Sequence, residues 1–187
     1  MVQLWRNVWE APDMPFYYVQ IAPYKYENSS NTGAALLREA QMEALKTIPN
    51  SGMVPTTDIG DEFCIHPPQK DVVGLRLATL ALTKTYGIRR LPSNGPTMTK
   101  VDYADKKAIV TFDNAPAGLF PTFSELEGFE IAGADKKFYP AKAKIVGRTN
   151  TVEVWSEEVA QPVAVRYAFR NYVGNITLRN TFGLSAF

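Results

Sequence analysis

The sequence contains a single histidine, and two carboxylates precede it in the same polar segment. The histidine is His66, and Asp58 and Asp61 lie in the stretch that leads to it. Pro67 and Pro68 follow and block regular structure, so this segment is predicted to be a loop. An imidazole with a carboxylate in reach has the parts of a general base whose protonated form an acid orients. Spacing alone leaves another interpretation open, in which His66 is a surface residue and the aspartates order the loop.

The elements on either side of this loop alternate between strand and helix. Residues 16–21 are almost continuously apolar, which predicts a strand covered on both faces. A helix is predicted over 33–47 with Thr32 as its cap, and a second strand over 53–58. A second helix is predicted over 70–86. This order predicts a parallel sheet with right-handed crossovers, in which His66 lies on the loop that leaves the carboxyl end of the second strand.

The two helices are predicted to bury their apolar positions. In helix 33–47 the predicted buried face consists of Leu36, Leu37, Ala40 and Leu45. The predicted solvent-facing side carries the charged residues Arg38, Glu39 and Glu43. In helix 70–86 the predicted face is Val73, Leu77, Leu80 and Ala81. Gly87 supplies the left-handed stop after that helix.

A different pattern begins after the proline- and glycine-containing linker at 92–96. Helical periodicity disappears, and short alternating segments separated by turn signals predict strands at 107–112, 128–132, 141–146, 151–155 and 163–169. Short strands at this spacing predict a β-sandwich. The fold class is therefore α/β plus β, with an α/β region at 1–92 and a β-sandwich domain at 97–187.

Composition limits the function classes. The chain has 187 residues, of which 45% are hydrophobic, and a formal net charge of +1, so it lacks the basic excess that nucleic-acid binding needs. We expect no membrane segment, because no apolar run approaches the roughly 18 residues that would span a bilayer. Cys64 is the one cysteine, which excludes an intrachain disulfide and a structural zinc site of about four Cys and His ligands.

Several motifs, in order along the chain, resemble a known enzyme family. They are FYYVQIAPY at 16–24, LREAQ at 37–41, NSGMVPTTDIGD at 50–61, IHPPQK at 65–70, VGLRLATLAL at 73–82, GFEIAGADKKFYPAKAKIVG at 128–147 and PVAVRYAFRN at 162–171. Together they resemble the carboxyl-terminal half of the catalytic domain of bacterial sialate O-acetylesterases, in the SGNH-hydrolase superfamily, and the region after that domain. The resemblance implies part of a flavodoxin-like hydrolase domain and then the β-sandwich.

The resemblance implies removal of O-acetyl groups from sialic acid or a related acetylated sugar, without a cofactor. His66 matches the family's catalytic histidine, in an Ile-His-Pro segment with a Lys shortly after it. The nucleophilic serine and the oxyanion donors belong to amino-terminal motifs that no segment here matches, and Ser29, Ser30 and Ser51 lack the required setting. We therefore expect little hydrolysis by the chain alone, and a homo-oligomer or a missing amino-terminal fragment. Family members are commonly exported, which implies a periplasmic or extracellular location.

Two positions depart from the family pattern. The family commonly has an acid three residues before the histidine, but Phe63 stands at that position here. The group that orients His66 is therefore expected to be Asp61, Asp58 or a backbone carbonyl, and Asp61 is favoured. Cys64 is expected to be a small buried filler, with a reactive thiol as the alternative.

Two other interpretations of the sequence remain open. In the first, the chain is a non-catalytic carbohydrate-binding or interaction module built on the β-sandwich. In the other, it is the product of a truncated gene model.

Overall fold

The structure is a computed structural model that describes residues 1–89, 91–122 and 124–186. Its helices are α1 (Val2–Val8), α2 (Gly33–Thr47) and α3 (Lys70–Lys84). Its strands are β1 (Phe16–Val19), β2 (Ser51–Val54), β3 (Thr97–Ala104), β4 (Lys107–Asp113), β5 (Leu119–Phe120), β6 (Phe129–Ala132), β7 (Phe138–Pro140), β8 (Lys142–Ile145), β9 (Thr151–Trp155), β10 (Ala164–Tyr167) and β11 (Arg179–Asn180). In the described part of the chain, no helix is long and apolar enough to cross a membrane.

The amino-terminal region is built on a parallel pair of strands, as predicted. Strand β1 pairs with β2 in the register Phe16↔Ser51 to Val19↔Val54. Strand β2 is buried along its length and ends before Pro55, earlier than predicted. Strand β1 is half-buried and Val19 is exposed, so the prediction that both of its faces are covered was wrong. β2 is also its one hydrogen-bonded neighbour among the described residues, so the other edge of β1 is unpaired there.

Helix α2 has the predicted bounds, but the predicted buried face was wrong. Its buried residues are Ala34, Ala35 and Arg38, whereas Leu36 and Leu37 are exposed. The small alanines allow the carboxyl-terminal region to approach closely. The guanidinium of Arg38 then donates from Nη2 to the carbonyl oxygen of Ala168 at 3.1 Å and to that of Arg170. Periodicity within the helix carries no information about carbonyl groups about 130 residues away.

Helix α3 agrees more closely with the prediction. Leu80 is completely buried, and its side chain lies against Gly52 of β2, where a Cβ would come within 2.8 Å of it. Val73, Leu77 and Ala81 are half-buried. Gly87 has φ +67°, so the predicted left-handed stop is confirmed. The helix itself ends two residues before its predicted end.

The carboxyl-terminal region contains antiparallel sheets. One has the strand order β3-β4-β9-β8, a second has β10-β6-β7, and a third pairs β11 with β5. A single core cluster takes buried side chains from both of the larger sheets, among them Val110, Phe129, Ile131, Val152 and Val154. All five predicted strands of this region are found, and the bounds of β9 are as predicted.

The strands that the sequence pattern missed are short or largely exposed. They are β3, β5, β7 and β11. Strand β3 shows little alternation because six of its eight residues are exposed. It forms a hairpin with β4 through Asp105 and Lys106, which both have positive φ, as the tight turns of hairpins require.

A buried carboxylate joins β6 to the end of the neighbouring strand. Glu130 accepts a hydrogen bond at 2.8 Å from Nε of Arg166, and it is also paired with Arg170. Burial alone would raise the pKa of Glu130, but the hydrogen bonds and charges of the two guanidinium groups together outweigh burial and hold the pKa below its usual range. The ionised form of Glu130 is therefore the one that the fold stabilises.

This lowered pKa predicts how Glu130 contributes to stability. Its contribution is fully present above the unfolded-state pKa of about 4.3 and is lost as the pH falls through the lower folded-state pKa. In urea unfolding between about pH 7 and pH 3, the difference in midpoint between wild type and Glu130→Gln should shrink below about pH 4.3. Glu43→Gln, which alters an exposed ion pair with Lys46, controls for the loss of one carboxylate. A constant difference across that range would contradict the prediction.

Candidate active site

The loop after β2 carries the predicted histidine. His66 is exposed, next to the buried Pro67, and its carbonyl oxygen accepts a contact at 3.3 Å from Sγ of Cys64. Cys64 is itself exposed, so the expectation of a small buried filler was wrong. The reason is that the loop lies outside the core from Phe63 to His66, all four residues being exposed. The imidazole is therefore accessible on the carboxyl-end side of the parallel pair.

Asp61 shapes the turn that precedes His66. Its Oδ1 accepts the backbone N–H groups of Phe63 at 2.8 Å and of Cys64 at 2.9 Å. This is the local side-chain-to-backbone pattern that makes Asp a turn former. Among the described residues its Oδ2 accepts no hydrogen bond. Asp61 thus orders the loop and keeps one carboxylate oxygen available.

Asp58 fixes the start of the same loop to helix α3. Its two carboxylate oxygens accept hydrogen bonds from Arg76, at 2.9 Å from Nη1 and 2.6 Å from Nη2. The buried Arg76 also donates to the carbonyl oxygen of Pro55 at 2.8 Å. Such a two-pronged pair with a buried arginine gives fixed geometry as well as binding energy. The sequence pattern missed Arg76, because a charged residue in an amphipathic helix is normally assigned to the solvent side.

In the described part of the chain, neither aspartate forms a hydrogen bond with the imidazole of His66. Asp58 is occupied by Arg76, and Asp61 is oriented toward backbone N–H groups of its own turn. The role of either carboxylate as the orienting acid therefore stays a prediction.

The loop after β1 lies against the His66 loop, as expected for carboxyl ends of parallel strands. The N–H of Lys25 donates to the carbonyl oxygen of Glu62 at 3.3 Å, and Ser29 Oγ donates to Glu62 Oε1 at 2.6 Å. Nζ of Lys25 lies 4.6 Å from the centre of the Phe63 ring. Glu62 was not singled out from the sequence, although it is the residue that ties the two loops together.

The serines considered from the sequence have other hydrogen-bond partners. Ser29 donates to Glu62, Ser30 Oγ donates to Asn28 Oδ1 at 2.8 Å, and Ser51 Oγ donates to the carbonyl oxygen of Ile48 at 2.6 Å. None of the three hydrogen-bonds to the imidazole. A serine–histidine pair of the hydrolase type is therefore not formed by these residues.

Large apolar side chains are exposed over the region that carries this loop. Phe63 is 73% exposed and Trp9 is 62% exposed. We call the following set the exposed apolar residues: Leu4, Val8, Trp9, Val19, Leu36, Leu37, Phe63, Ile65, Leu75 and Leu82. They lie on both sides of the parallel pair, because Tyr17 and Tyr18 of β1, which point to opposite faces, contact the end of α3 and α2 respectively. Large exposed apolar areas on soluble proteins mark sites of association. The expectation that the α/β region is only part of a larger layered unit stays a prediction.

The fold of the chain matches that of a carbohydrate acetylesterase. The chain is similar to a carbohydrate acetylesterase from Xanthomonas citri known from its crystal structure, with a TM-score of 0.89 and 35% identity, over 100% of this chain and 43% of that one. It is also 26% identical, over 172 residues, to the sialate O-acetylesterase of Mus musculus, a match that covers 84% of this chain and 31% of the mouse protein. No family model matches the chain.

This chain therefore spans less than half of the bacterial relative and about a third of the mouse one. Both similarities support an esterase-like function, and both relatives contain a large part that has no counterpart among these 187 residues.

Proposed function

We propose that this chain is the base-bearing part of a carbohydrate acetylesterase. The observation that carries the proposal is the similarity to the Xanthomonas citri acetylesterase along the whole chain, at 35% identity. The exposure of His66 on a loop at the carboxyl end of β2 supports it, since reacting groups of α/β enzymes gather at that edge. The finer assignments remain part of the proposal: an SGNH-type, flavodoxin-like α/β region at 1–92 and a β-sandwich at 97–187.

In the proposed reaction, His66 moves one proton in each half of the cycle. A serine hydroxyl of another polypeptide segment attacks the carbonyl carbon of the acetyl ester, and the imidazole accepts the hydroxyl proton. The imidazolium then gives that proton to the departing sugar alkoxide, which leaves an acetyl-serine. Water attacks the acetyl-serine while His66 accepts a proton from it, and the imidazolium then returns that proton to the departing serine oxygen, so that the free serine is restored and acetic acid is released, which ionises to acetate. The substrate is an O-acetylated sialic acid or another acetylated sugar.

Asp61 is the proposed acid that orients the imidazolium. Both oxygens of Asp58 are held by Arg76, whereas Oδ2 of Asp61 has no partner among the described residues. Asp61 also stands in the turn that leads into His66, where its Oδ1 accepts the N–H groups of Phe63 and Cys64. The orienting role needs an ionised carboxylate near the imidazole and no further group.

The serine and the oxyanion donors are proposed to come from a polypeptide segment that extends the two-stranded sheet and covers exposed apolar residues beside its edge. In the part of the chain that the structure describes, each strand of the two-stranded sheet has one unpaired edge, which supports this because an unpaired strand is a template for further pairing. The same exposed residues would also favour association between copies of the chain. New strands that pair in parallel with β1 or β2 would have their carboxyl ends on the same side of the sheet as the His66 loop.

The proposal is tested by complementation. The part of the Xanthomonas citri enzyme that this chain does not match is mixed with the chain or fused ahead of it, and assembly is monitored by size-exclusion chromatography. We expect hydrolysis of p-nitrophenyl acetate and of an O-acetylated sialoside by the assembly and little by the chain alone. Saturable sialoside binding without turnover in a formed assembly would instead favour a carbohydrate-binding module.

A further inference from the structure

A second polar site lies away from the His66 loop, in a cavity between helix α2 and the carboxyl-terminal region. The cavity has a volume of about 270 Å³, and none of its lining residues belongs to the loop at 58–69. Its walls are largely apolar, formed among others by Ala35, Met42, Phe112, Phe129 and Val165. Small-molecule sites have this character: an apolar concavity with few, well-placed polar groups.

The central polar group of this cavity is the guanidinium of Arg38. Arg38 is 5% exposed and lines the cavity. Its Nη2 is satisfied by the carbonyl oxygens of Ala168 and Arg170, but its Nη1 is buried and has no hydrogen-bond partner in the described part of the chain. Burial lowers the pKa of Arg38 to about 10, so the side chain remains a cation at neutral pH. A buried donor without an acceptor is costly and is normally satisfied by a ligand, an ion or water.

The carboxylates around this cation are paired elsewhere or exposed. Glu130 is paired with Arg166 and Arg170, and Glu43 pairs with Lys46 at 2.7 Å. Glu39 lines the cavity but is exposed, which places it at the mouth. Within the described residues, no carboxylate forms an ion pair with Arg38. Tyr26 is close enough to act electrostatically on Arg38, but its buried hydroxyl has no hydrogen-bond partner among the described residues and lines a different cavity. Arg38 is therefore a buried cation whose hydrogen-bond partners are carbonyl oxygens and not a carboxylate, and such charges favour a bound anion.

Gln20 contributes a second buried polar atom without a hydrogen-bond partner to the lining of this cavity. It is 2% exposed and lines the cavity, and its Nε2 donates to the carbonyl oxygen of Arg38 at 3.2 Å. Its Oε1 is buried and has no partner among the described residues. The two amide atoms of Gln20 cannot be exchanged, because an oxygen in place of Nε2 would face the carbonyl oxygen of Arg38, which is also an acceptor. Oε1 therefore lacks a donor in its present orientation. A hydroxyl group or a water held with the ligand can donate to it.

We infer that this cavity binds a small organic carboxylate with an apolar body. The carboxylate accepts a hydrogen bond from Arg38 Nη1, and the apolar body packs against Met42, Phe129 and Val165. Acetate alone would leave the apolar walls without contacts, so the class is that of larger aliphatic or aryl carboxylates. This site does not involve His66, and its occupancy is independent of ester hydrolysis.

The test is a fluorine NMR titration of the full chain with 4-fluorophenylacetate, alongside its neutral counterpart 2-(4-fluorophenyl)ethanol. We expect a saturable shift for the carboxylate and binding at least about tenfold weaker for the alcohol, a difference equivalent to about 1.4 kcal/mol. Glu39→Gln should strengthen binding of the carboxylate and leave that of the alcohol unchanged, since it removes a negative charge at the mouth.

Arg38→Met should abolish carboxylate binding. Because this substitution also removes the hydrogen bonds to Ala168 and Arg170, the result counts only if circular dichroism shows that the variant is folded. Met42→Trp keeps Arg38 and fills the cavity from the half-exposed side of α2, so it should also abolish binding. Leu75→Trp, on the exposed side of α3, is the matched control and should bind like wild type. Equal binding of acid and alcohol, unchanged binding by Met42→Trp, or no saturable shift up to about 20 mM would overturn the inference. The last result would mean that the cavity holds only water.

Discussion

Substitution of His66 by asparagine should lower kcat/KM for p-nitrophenyl acetate by at least about 100-fold in the assembled esterase, since general-base catalysis contributes roughly 100- to 10,000-fold. The His66 side chain is exposed and forms no hydrogen bond with Asp58 or Asp61, so asparagine should leave the fold intact. The defect should therefore fall on kcat more than on KM, because the imidazole acts in the transition state and not in sugar binding.

Cys64→Ser is the matched control for this experiment. It changes an exposed residue two positions away in the same loop, whose Sγ contacts the backbone carbonyl of His66 and not its imidazole. We expect an activity within about twofold of wild type, well below the effect of removing a general base. If the His66 variant retained activity comparable to that control, the histidine would not be the base.

The largest stability effect is expected for Gly95→Ala. A Cβ on Gly95 would overlap the carbonyl oxygen of Ser185 and lie 2.8 Å from its carbonyl carbon. These are backbone atoms of the segment that bonds to Thr57 of the loop after β2, through the carbonyl oxygen of Ala186 at 3.2 Å. To relieve the overlap, one of the two backbone segments must move. We therefore expect the free energy of unfolding to fall by about 1–3 kcal/mol or more.

Gly74→Ala in helix α3 is the opposite case. Nothing lies within 4 Å of a Cβ built there, and the helix interior favours alanine over glycine. We expect this variant to gain about 0.5–1 kcal/mol in stability. Urea unfolding monitored by circular dichroism measures both variants. A neutral Gly95→Ala would show that the contact with Ser185 is not part of the folded state.

Elements with strong local signals could be predicted from the sequence. Helix α2 begins and ends where its loop signals predict, β9 matches its alternating pattern, and the loop of His66 lies between β2 and α3. These features depend on turn residues and periodicity, which are local properties of the chain.

Features that depend on distant partners could not be predicted. The burial of Arg38 requires the carbonyl groups of Ala168 and Arg170, and that of Arg76 requires the carboxylate of Asp58. In both helices, therefore, a charged residue lies on the buried face, against the usual interpretation of helix amphipathicity. Strand β3 was missed because its exposed residues lack alternation, and its place in the sheet comes from pairing with β4.

The proposed mechanism divides the catalytic groups between two segments: the base lies on the segment described by these 187 residues, and the nucleophile lies on the polypeptide segment that completes the sheet. Its most direct test is to treat the complemented assembly with a fluorophosphonate, which modifies an activated serine, and to locate the adduct by mass spectrometry. We expect one adduct, on a serine of the complementing polypeptide, whose formation is lost when His66 is replaced by asparagine. An adduct on Ser29, Ser30 or Ser51 of this chain, or labelling that does not depend on His66, would contradict the proposed mechanism.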